Sequence, residues 1–232
     1  MTATEDLFTP IHKGLRSMIY DLSNRLQTND FANPAATEVL ATDLEHEFEV
    51  ARSSGCALCI LAHHAVDEET VIFGDAAKVD APLITKLIDQ HHDLSRRELE
   101  VARRAHEIAA MDNPAERVRA GVRLNQTANE LFSAYISHMN LEETDLVPRM
   151  REHFTDAQMV AMRGVIMGRL PPDRLFAILR WMLPSLNVTE LSELLRSVRG
   201  GVPPPVYQKL TDLCEARVNP TIWSEVKSRI AA

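Results

Sequence analysis

A chain of 232 residues that is 45% hydrophobic and 25% charged has the apolar content to bury a core unaided and is not a disordered polymer. Its formal net charge of -8 leaves no basic surface to neutralise phosphates, and no lysine/arginine cluster alternates with aromatic residues, so nucleic acid and an anionic membrane are poor partners. No stretch nears the roughly 18 apolar residues of a membrane span, MTATEDLFTP lacks the basic start of a signal peptide, and three cysteines suit a reducing compartment, so a soluble cytoplasmic protein is expected.

Thr9-Pro10 reads as an N-cap followed by proline at the first helical position, and Ile11, Leu15, Met18, Leu22 and Leu26 keep helical spacing to a stop near Asn29. After Asn33-Pro34 a long helical pattern runs from about Ala36 to Phe73, ended by Gly74. Pro82 opens a third helix that carries Leu83, Ile84, Leu87, Ile88, Leu94 and Leu99 to about Met111. Asn113-Pro114 repeats the cap-plus-proline signal and starts a fourth, which runs to Pro148 or slightly beyond. The β-branched alternation of strands is missing, so the expected class is all-α. From Thr155 the texture changes: Thr155 to Gln158 fits a capping box, and short helical segments are cut by Pro171-Pro172, Pro184, Gly200-Gly201 and Pro203-Pro204-Pro205. This is a helical C-terminal extension over 155–232, packed on the first 154 residues or against a second subunit.

The sequence contains an echo. His64-Ala-Val-Asp-Glu68-Glu69-Thr70 recurs as His138-Met-Asn-Leu-Glu142-Glu143-Thr144, at the same relative place in the second and fourth predicted helices. A weaker echo precedes each, His12-Lys-Gly-Leu15 in the first helix and His91-His92-Asp-Leu94 in the third. At about 100° per residue, four residues return a side chain to nearly the same face. By this phase His64, Glu68, His91, His138 and Glu142 point into the apolar stripes of their helices, whereas His63 and His92 lie to the side and Glu69 and Glu143 swing outward to a solvated face.

A buried carboxylate or imidazole needs a partner. Four histidines and two glutamates converging with no lysine or arginine nearby are what a pair of di- or trivalent metal ions requires, with each i, i+4 His/Glu pair giving one nitrogen and one oxygen able to bridge. Ordinary core histidines remain the simpler reading for His46, His106 and His153. Cys56 and Cys59, with His63 four residues on, are better explained as buried small side chains than as a second metal site or a redox pair. Tyr20 and Tyr135 are candidates to line the site, with core packing as the simpler alternative, and Glu98 and Asp145 to orient imidazoles or simply to reach the end of the helical core.

On His12, His64/Glu68, His91 and His138/Glu142 the chain resembles the hemerythrin-like, HHE cation-binding family, whose pattern is H, HxxxE, H, HxxxE on four helices; the resemblance covers about residues 8–153. It implies an antiparallel up-down four-helix bundle over 1–154 and a non-haem di-iron site, oxo- or hydroxo-bridged through the carboxylates, that meets dioxygen, peroxide or nitric oxide. His12, His64, Glu68, His91, His138 and Glu142 would be its metal ligands, although zinc or manganese suits the same donors. The chain departs from the oxygen carriers of that family, which place a fifth histidine four residues after the third-helix histidine; here that residue is Ser95, and the last motif ends in Glu142-Glu143 rather than HxxxxD. Fewer nitrogen ligands leave positions open for turnover or exchange, as in an oxidoreductase, while a redox sensor or an oxygen store that uses the extension for signalling or self-association is the expectation from another class.

Overall fold

The computed structural model describes residues 6–48 and 60–231, with side chains of 46–48 excepted; among the described residues it is helical throughout, without a strand. Helix α1 spans Thr9–Thr28, α2 Pro34–Phe48, α3 Ile60–Asp67, α4 Phe73–Ala109 and α5 Pro114–Leu141. Single π turns, Glu68–Ile72 and Glu142–Leu146, join α3 to α4 and α5 to α6 (Val147–His153). The extension comprises α7 (Asp156–Arg169), α8 (Pro172–Met182), α9 (Val188–Arg199), α10 (Pro204–Arg217) and α11 (Pro220–Ala231). No described helix is long and apolar enough to cross a membrane.

Several predicted boundaries hold for the stated reason. Asn113 caps α5 by accepting from Ala115 and Glu116 backbone N–H groups, and Thr155 with Gln158 forms a reciprocal capping box at α7. Two need correction. The cap at α1 comes from Asp6, whose Oδ1 accepts from Phe8 N at 3.0 Å and Thr9 N at 2.9 Å, so Thr9 is already helical. Gly74 does not end the second helical run. The chain stays helical through it and breaks at Asp80 (φ -147, ψ 81), whose carboxylate then accepts from Leu83 N at 3.0 Å and restarts the helix at the predicted Pro82. The predicted unbroken run from Ala36 to Phe73 has its middle, residues 49–59, outside the described residues, and with it Cys56 and Cys59.

The apolar stripes fill two clusters. The larger takes Leu15, Met18, Ile19, Leu22 and Leu26 from α1, Leu40, Ala41 and Leu44 from α2, Ile60 and Leu61 from α3, and the later turns of α4 and most of α5. The smaller gathers Phe8, Ile72, Phe73, Ile84, Leu87, Leu146, Val147, Met150 and Met162. On each of four helical runs one inward polar residue separates the clusters: His12 between Phe8 and Leu15, Glu68 between Leu61 and Ile72, His91 between Leu87 and Leu94, Glu142 between Met139 and Leu146. The polar groups thus form a layer between two dry ones. The extension has a third core around Leu183, Leu191, Leu195, Leu210, Cys214, Trp223 and Val226. It joins the rest through α8, which packs on α1 and α3, and through α7, which packs on the first π turn and sends Met162 into the smaller cluster.

Two glycines give predictions of opposite sign. A Cβ on Gly121 would run into the Phe31 ring, which the Arg117 guanidinium helps to fix by donating to the Phe31 and Ala32 carbonyl oxygens. Gly121→Ala should lower stability by about 1–3 kcal/mol through displacement of that ring. A Cβ on Gly74 meets nothing within 4 Å, so Gly74→Ala should raise stability by about 0.5–1 kcal/mol. Urea unfolding of both variants checks the pair, and stabilisation by Gly121→Ala would contradict the packing described.

Candidate metal centre

All six residues of the predicted ligand set meet in the polar layer. His12, His64, Glu68 and Glu142 form one set with ligand atoms within 4.8 Å of one another, and Glu68, His91, His138 and Glu142 form a second. Both carboxylates belong to both sets. Glu68 Oε1 lies 2.9 Å from His64 Nε2 and 3.8 Å from His12 Nε2, whereas its Oε2 lies 3.2 Å from His91 Nε2. Glu142 divides likewise, with Oε2 3.3 Å from His12 Nε2 and Oε1 3.3 Å from His138 Nε2. Each half therefore offers two imidazole nitrogens and one oxygen from each of two shared carboxylates.

The π turns explain how. Each begins at the glutamate of the H-x-x-x-E-E-T echo and closes with an i to i-5 bond, Phe73 N–H to Glu68 O in one and Val147 N–H to Glu142 O in the other. Such a wider turn re-aims the side chains it carries and is retained mostly where function needs it. Here it lets both members of each glutamate doublet address histidines. Glu69 and Glu143 are accordingly not the solvated face expected of them. Glu143 Oε1 is 2.9 Å from His12 Nδ1, and Glu69 Oε1 is 2.8 Å from His91 Nδ1.

Four further side chains complete this outer ring, or line it, beyond what the sequence suggested. Arg16, one turn after His12, donates to both oxygens of Glu143 at 2.9 and 3.0 Å and to Asn140 at 3.0 Å. Gln90, beside His91, places Oε1 2.9 Å from His138 Nδ1. Its counterpart in the echo is Ile11, which offers no acceptor. Phe8 and Phe73 back His12 and His91, the second as a stack at 5.5 Å and 9°. The signal for Arg16 and Gln90 was their place one turn from, or next to, a histidine of the pattern, but only the tertiary structure shows what they reach.

Other expectations change. Tyr20 is 58% exposed and does not line the site, whereas Tyr135 does and donates its hydroxyl to Glu98. Glu98 accepts from a tyrosine and Asp145 from Thr144, where either orienting an imidazole or simply reaching the end of the helical core was expected. His106 faces Glu45 and His153 bonds the Arg149 carbonyl, as ordinary structural histidines do, while the side chain of His46 lies outside the described residues.

The electrostatics call for a cation. Glu68 and Glu142 are 1% and 0% exposed, and all four of their oxygens lack an aligned hydrogen-bond donor although imidazole nitrogens stand nearby. With acceptors at the Nδ1 atoms of His12, His91 and His138, those nitrogens carry the protons and the Nε2 lone pairs point inward. There, His91 Nε2 faces His138 Nε2 at 2.9 Å, and His12 Nε2 faces His64 Nε2 at 3.1 Å. In those tautomers the His91 and His138 lone pairs face each other beside two carboxylates, and they repel unless a positive charge lies among them.

Without metal that charge must be protons, and the titration behaviour reflects it. Burial disfavours the protonated form of His12, but Glu142, Glu143 and Glu68 outweigh it and hold the imidazole well above its usual range. Burial likewise opposes protonation of His91, and Glu68 and Glu69 still raise it to about 8. Burial would raise Glu68, but His64, His12 and His91 keep it well below a normal carboxylate. Glu143, against the same opposition from burial, is pulled to about 2 by His12 and Arg16.

A cavity of about 270 Å³ reaches this layer between α3, α4 and α5, lined on the metal side by His64, His91 and His138. His64, with 13% of its side chain exposed, is the most accessible of the four imidazoles. No known protein family, curated protein or solved structure matches the chain.

The raised His91 predicts a pH dependence of the metal-free protein. A folded-state value near 8 above an unfolded value of 6.5 gives stability that is complete below about pH 6.5 and lost as pH rises through about 8. His12 adds to this with the same sign. Glu143, depressed from 4.5 to about 2, gives stability that is present above about pH 4.5 and lost toward pH 2. Thermal unfolding in chelator should therefore show its highest midpoint between about pH 4.5 and 6.5 and a fall by pH 9; a flat midpoint from pH 6.5 to 9 would contradict the protonated layer.

Proposed function

We propose that the chain is a hemerythrin-like, non-haem di-iron protein that reacts with or binds a small oxidant, namely dioxygen, peroxide or nitric oxide, in a reducing cytoplasm. In this reading α1, α2 with α3, α4, and α5 with α6 are the four rods of an antiparallel up-down bundle, and the extension is its accessory. One observation carries the proposal: two buried imidazole/carboxylate sets that share both carboxylates, with no lysine or arginine paired to either carboxylate among the described residues. His12 and His64 would hold one ion with Glu68 Oε1 and Glu142 Oε2, and His91 and His138 the other with Glu68 Oε2 and Glu142 Oε1. A bound pair of redox-active ions supplies Lewis acidity and electrons to an oxidant. The chain fixes imidazole tautomers through Glu143, Glu69 and Gln90, neutralises the ions with two buried anions, and excludes bulk water with the apolar clusters above and below. Four protein donors for each ion leave room for an exchangeable ligand, and the cavity leads to that room from the His64 side. Imidazole and carboxylate also suit zinc and manganese; the resemblance to the di-iron family selects iron.

Iron analysis with ultraviolet-visible spectra during peroxide and nitric oxide addition tests this. About two irons per chain and a ligand-to-metal charge-transfer band that responds to the oxidant are expected; less than one metal per chain and no band would overturn it. Glu68→Ala should abolish binding of both ions, and Glu143→Gln or Glu69→Gln should weaken metal affinity by about 10–100-fold while leaving the helix content unchanged. Competition with a chelator of known affinity reads that difference, and unaltered affinity in both doublet variants would remove Glu69 and Glu143 from the metal centre.

A second reading, a redox or iron sensor, is favoured by where the extension attaches. Arg174 pairs with Asp67 at 3.0 Å, one residue before Glu68, and Lys13 pairs with Glu190, one residue after His12. Hydrogen exchange of α8 and α9 with and without metal tests it, greater protection on loading being expected and identical protection removing the reading.

A further inference from the structure

The cavity is larger than the oxidants named above need. Dioxygen, nitric oxide or hydrogen peroxide replaces one or two waters, each with a share of about 30 Å³, whereas the space measures about 270 Å³ and approaches the low end of pockets that take organic ligands. Its walls divide by chemistry. The lining includes the imidazoles of His64, His91 and His138, the apolar side chains of Leu61, Ala62, Ala65, Leu94 and Met139, and Tyr135 hydrogen-bonded to Glu98. Ser95 and His92 line the same space, His92 from an exposed position.

The echo shows why the space exists on this side. Ser95 stands one turn after His91 as Arg16 stands one turn after His12. Arg16 fills its place by bridging α1 to Glu143 and Asn140 of the fourth helical run. A serine at the equivalent position cannot span that distance, and the volume that a long side chain would occupy belongs to the cavity. The acids at the wall, Glu69 and Glu98, with no lysine or arginine among the lining residues, disfavour an anion. What fits is a small, neutral, mainly apolar molecule with one oxygen-bearing end turned to the histidines.

Resting on the metal reading of the same site, we infer that the cavity receives the organic body of an oxidant: a small organic hydroperoxide, ROOH, with R an alkyl or aryl group of up to about ten non-hydrogen atoms held against Leu61, Ala62, Leu94 and Met139. The inference concerns recognition by these side chains and is separable from turnover. Zinc-loaded protein keeps the two-metal geometry without supplying electrons, so binding can be read alone. The probe is cumene hydroperoxide, with its alcohol 2-phenyl-2-propanol as a stable analogue and hydrogen peroxide as the small control. Saturable shifts of the Met139 methyl resonance are expected with both organic probes. Ser95→Leu and Ala65→Leu, which fill the cavity without touching a donor atom, should weaken organic-probe binding at least tenfold. In iron-loaded protein they should leave the spectral response to hydrogen peroxide within about twofold of the parent. Two substitutions at separate walls guard against one misfolding, which circular dichroism detects.

Zinc retained at one or more per chain with no saturable shift, or with equal binding in both filled variants, overturns the inference and leaves the metal centre standing. A chain that binds no metal overturns the metal centre and this inference with it.

Discussion

Two buried carboxylates faced by imidazoles and, among the described residues, by no lysine or arginine set the terms for everything else in this molecule. Taking one carboxylate out of water costs several kcal/mol even after relaxation, and Glu68 and Glu142 are both taken out completely. Among the described residues the one buried arginine, Arg117, is committed elsewhere, to the carbonyl oxygens of Phe31, Ala32 and Met111. The layer is therefore held by protons or by metal. Apolar burial can carry the expense: at about 1.5–3 kcal/mol for each fully buried large side chain, the stripe Leu15, Met18, Ile19, Leu22 and Leu26 alone offsets the penalty of one carboxylate. That stripe lies directly against the layer it supports, which is why clusters on both sides of the polar groups matter for the site as well as for stability.

Specificity of geometry comes from repetition with a local departure from the α-helix. The same four-residue spacing appears twice, and each time the backbone widens into a π turn at the glutamate. A regular helix would send the second glutamate of each doublet about 100° away from the first. With the wider turn, the doublet divides its labour: the first member faces Nε2 atoms and the second reaches the Nδ1 of a histidine on another helix. Glu143 of the fourth run serves His12 of the first, and Glu69 of the second serves His91 of the third. With Gln90 of the third run serving His138, three of the four helical runs orient a histidine they do not own, which ties the donors on different helices together.

The sequence made the inward set legible because six residues of the right chemistry share the phase of apolar stripes, a coincidence that a structural role for each would have to explain six times over. It misplaced Glu69 and Glu143 because phase was counted at a constant 100°, and a π turn is a tertiary outcome with no local signature beyond the doublet itself. Helix ends were readable where a side chain caps at the expected offset, as at Asn113 and Thr155. They were misread where glycine was taken as a terminator: Gly74 stays helical, and the break falls at Asp80, whose carboxylate caps the next segment. Arg16 and Gln90 stood in view but without partners, since what they reach lies more than 40 residues away in sequence.

The extension finds its physical explanation in which side of the layer it covers. The helices α1 and α3 bring His12, His64 and, through the first π turn, Glu68, yet it is between α3, α4 and α5 that the cavity opens. Across α1 and α3 lies α8, with Ala177, Ile178 and Trp181 packed on the larger cluster and Met182 so close to Gly14 that a Cβ there would meet its backbone at 3.0 Å. Ion pairs at Lys13 and Asp67 pin the same seam beside His12 and Glu68. A route to the polar layer through that seam would admit water to the carboxylates and raise the effective dielectric around them. The extension covers it, while the cavity opens on the flank where Ser95 stands in place of a second arginine. Coupling to the extension and access from the cavity are then two results of a single arrangement: they lie on different flanks of one polar layer, and α3 borders both.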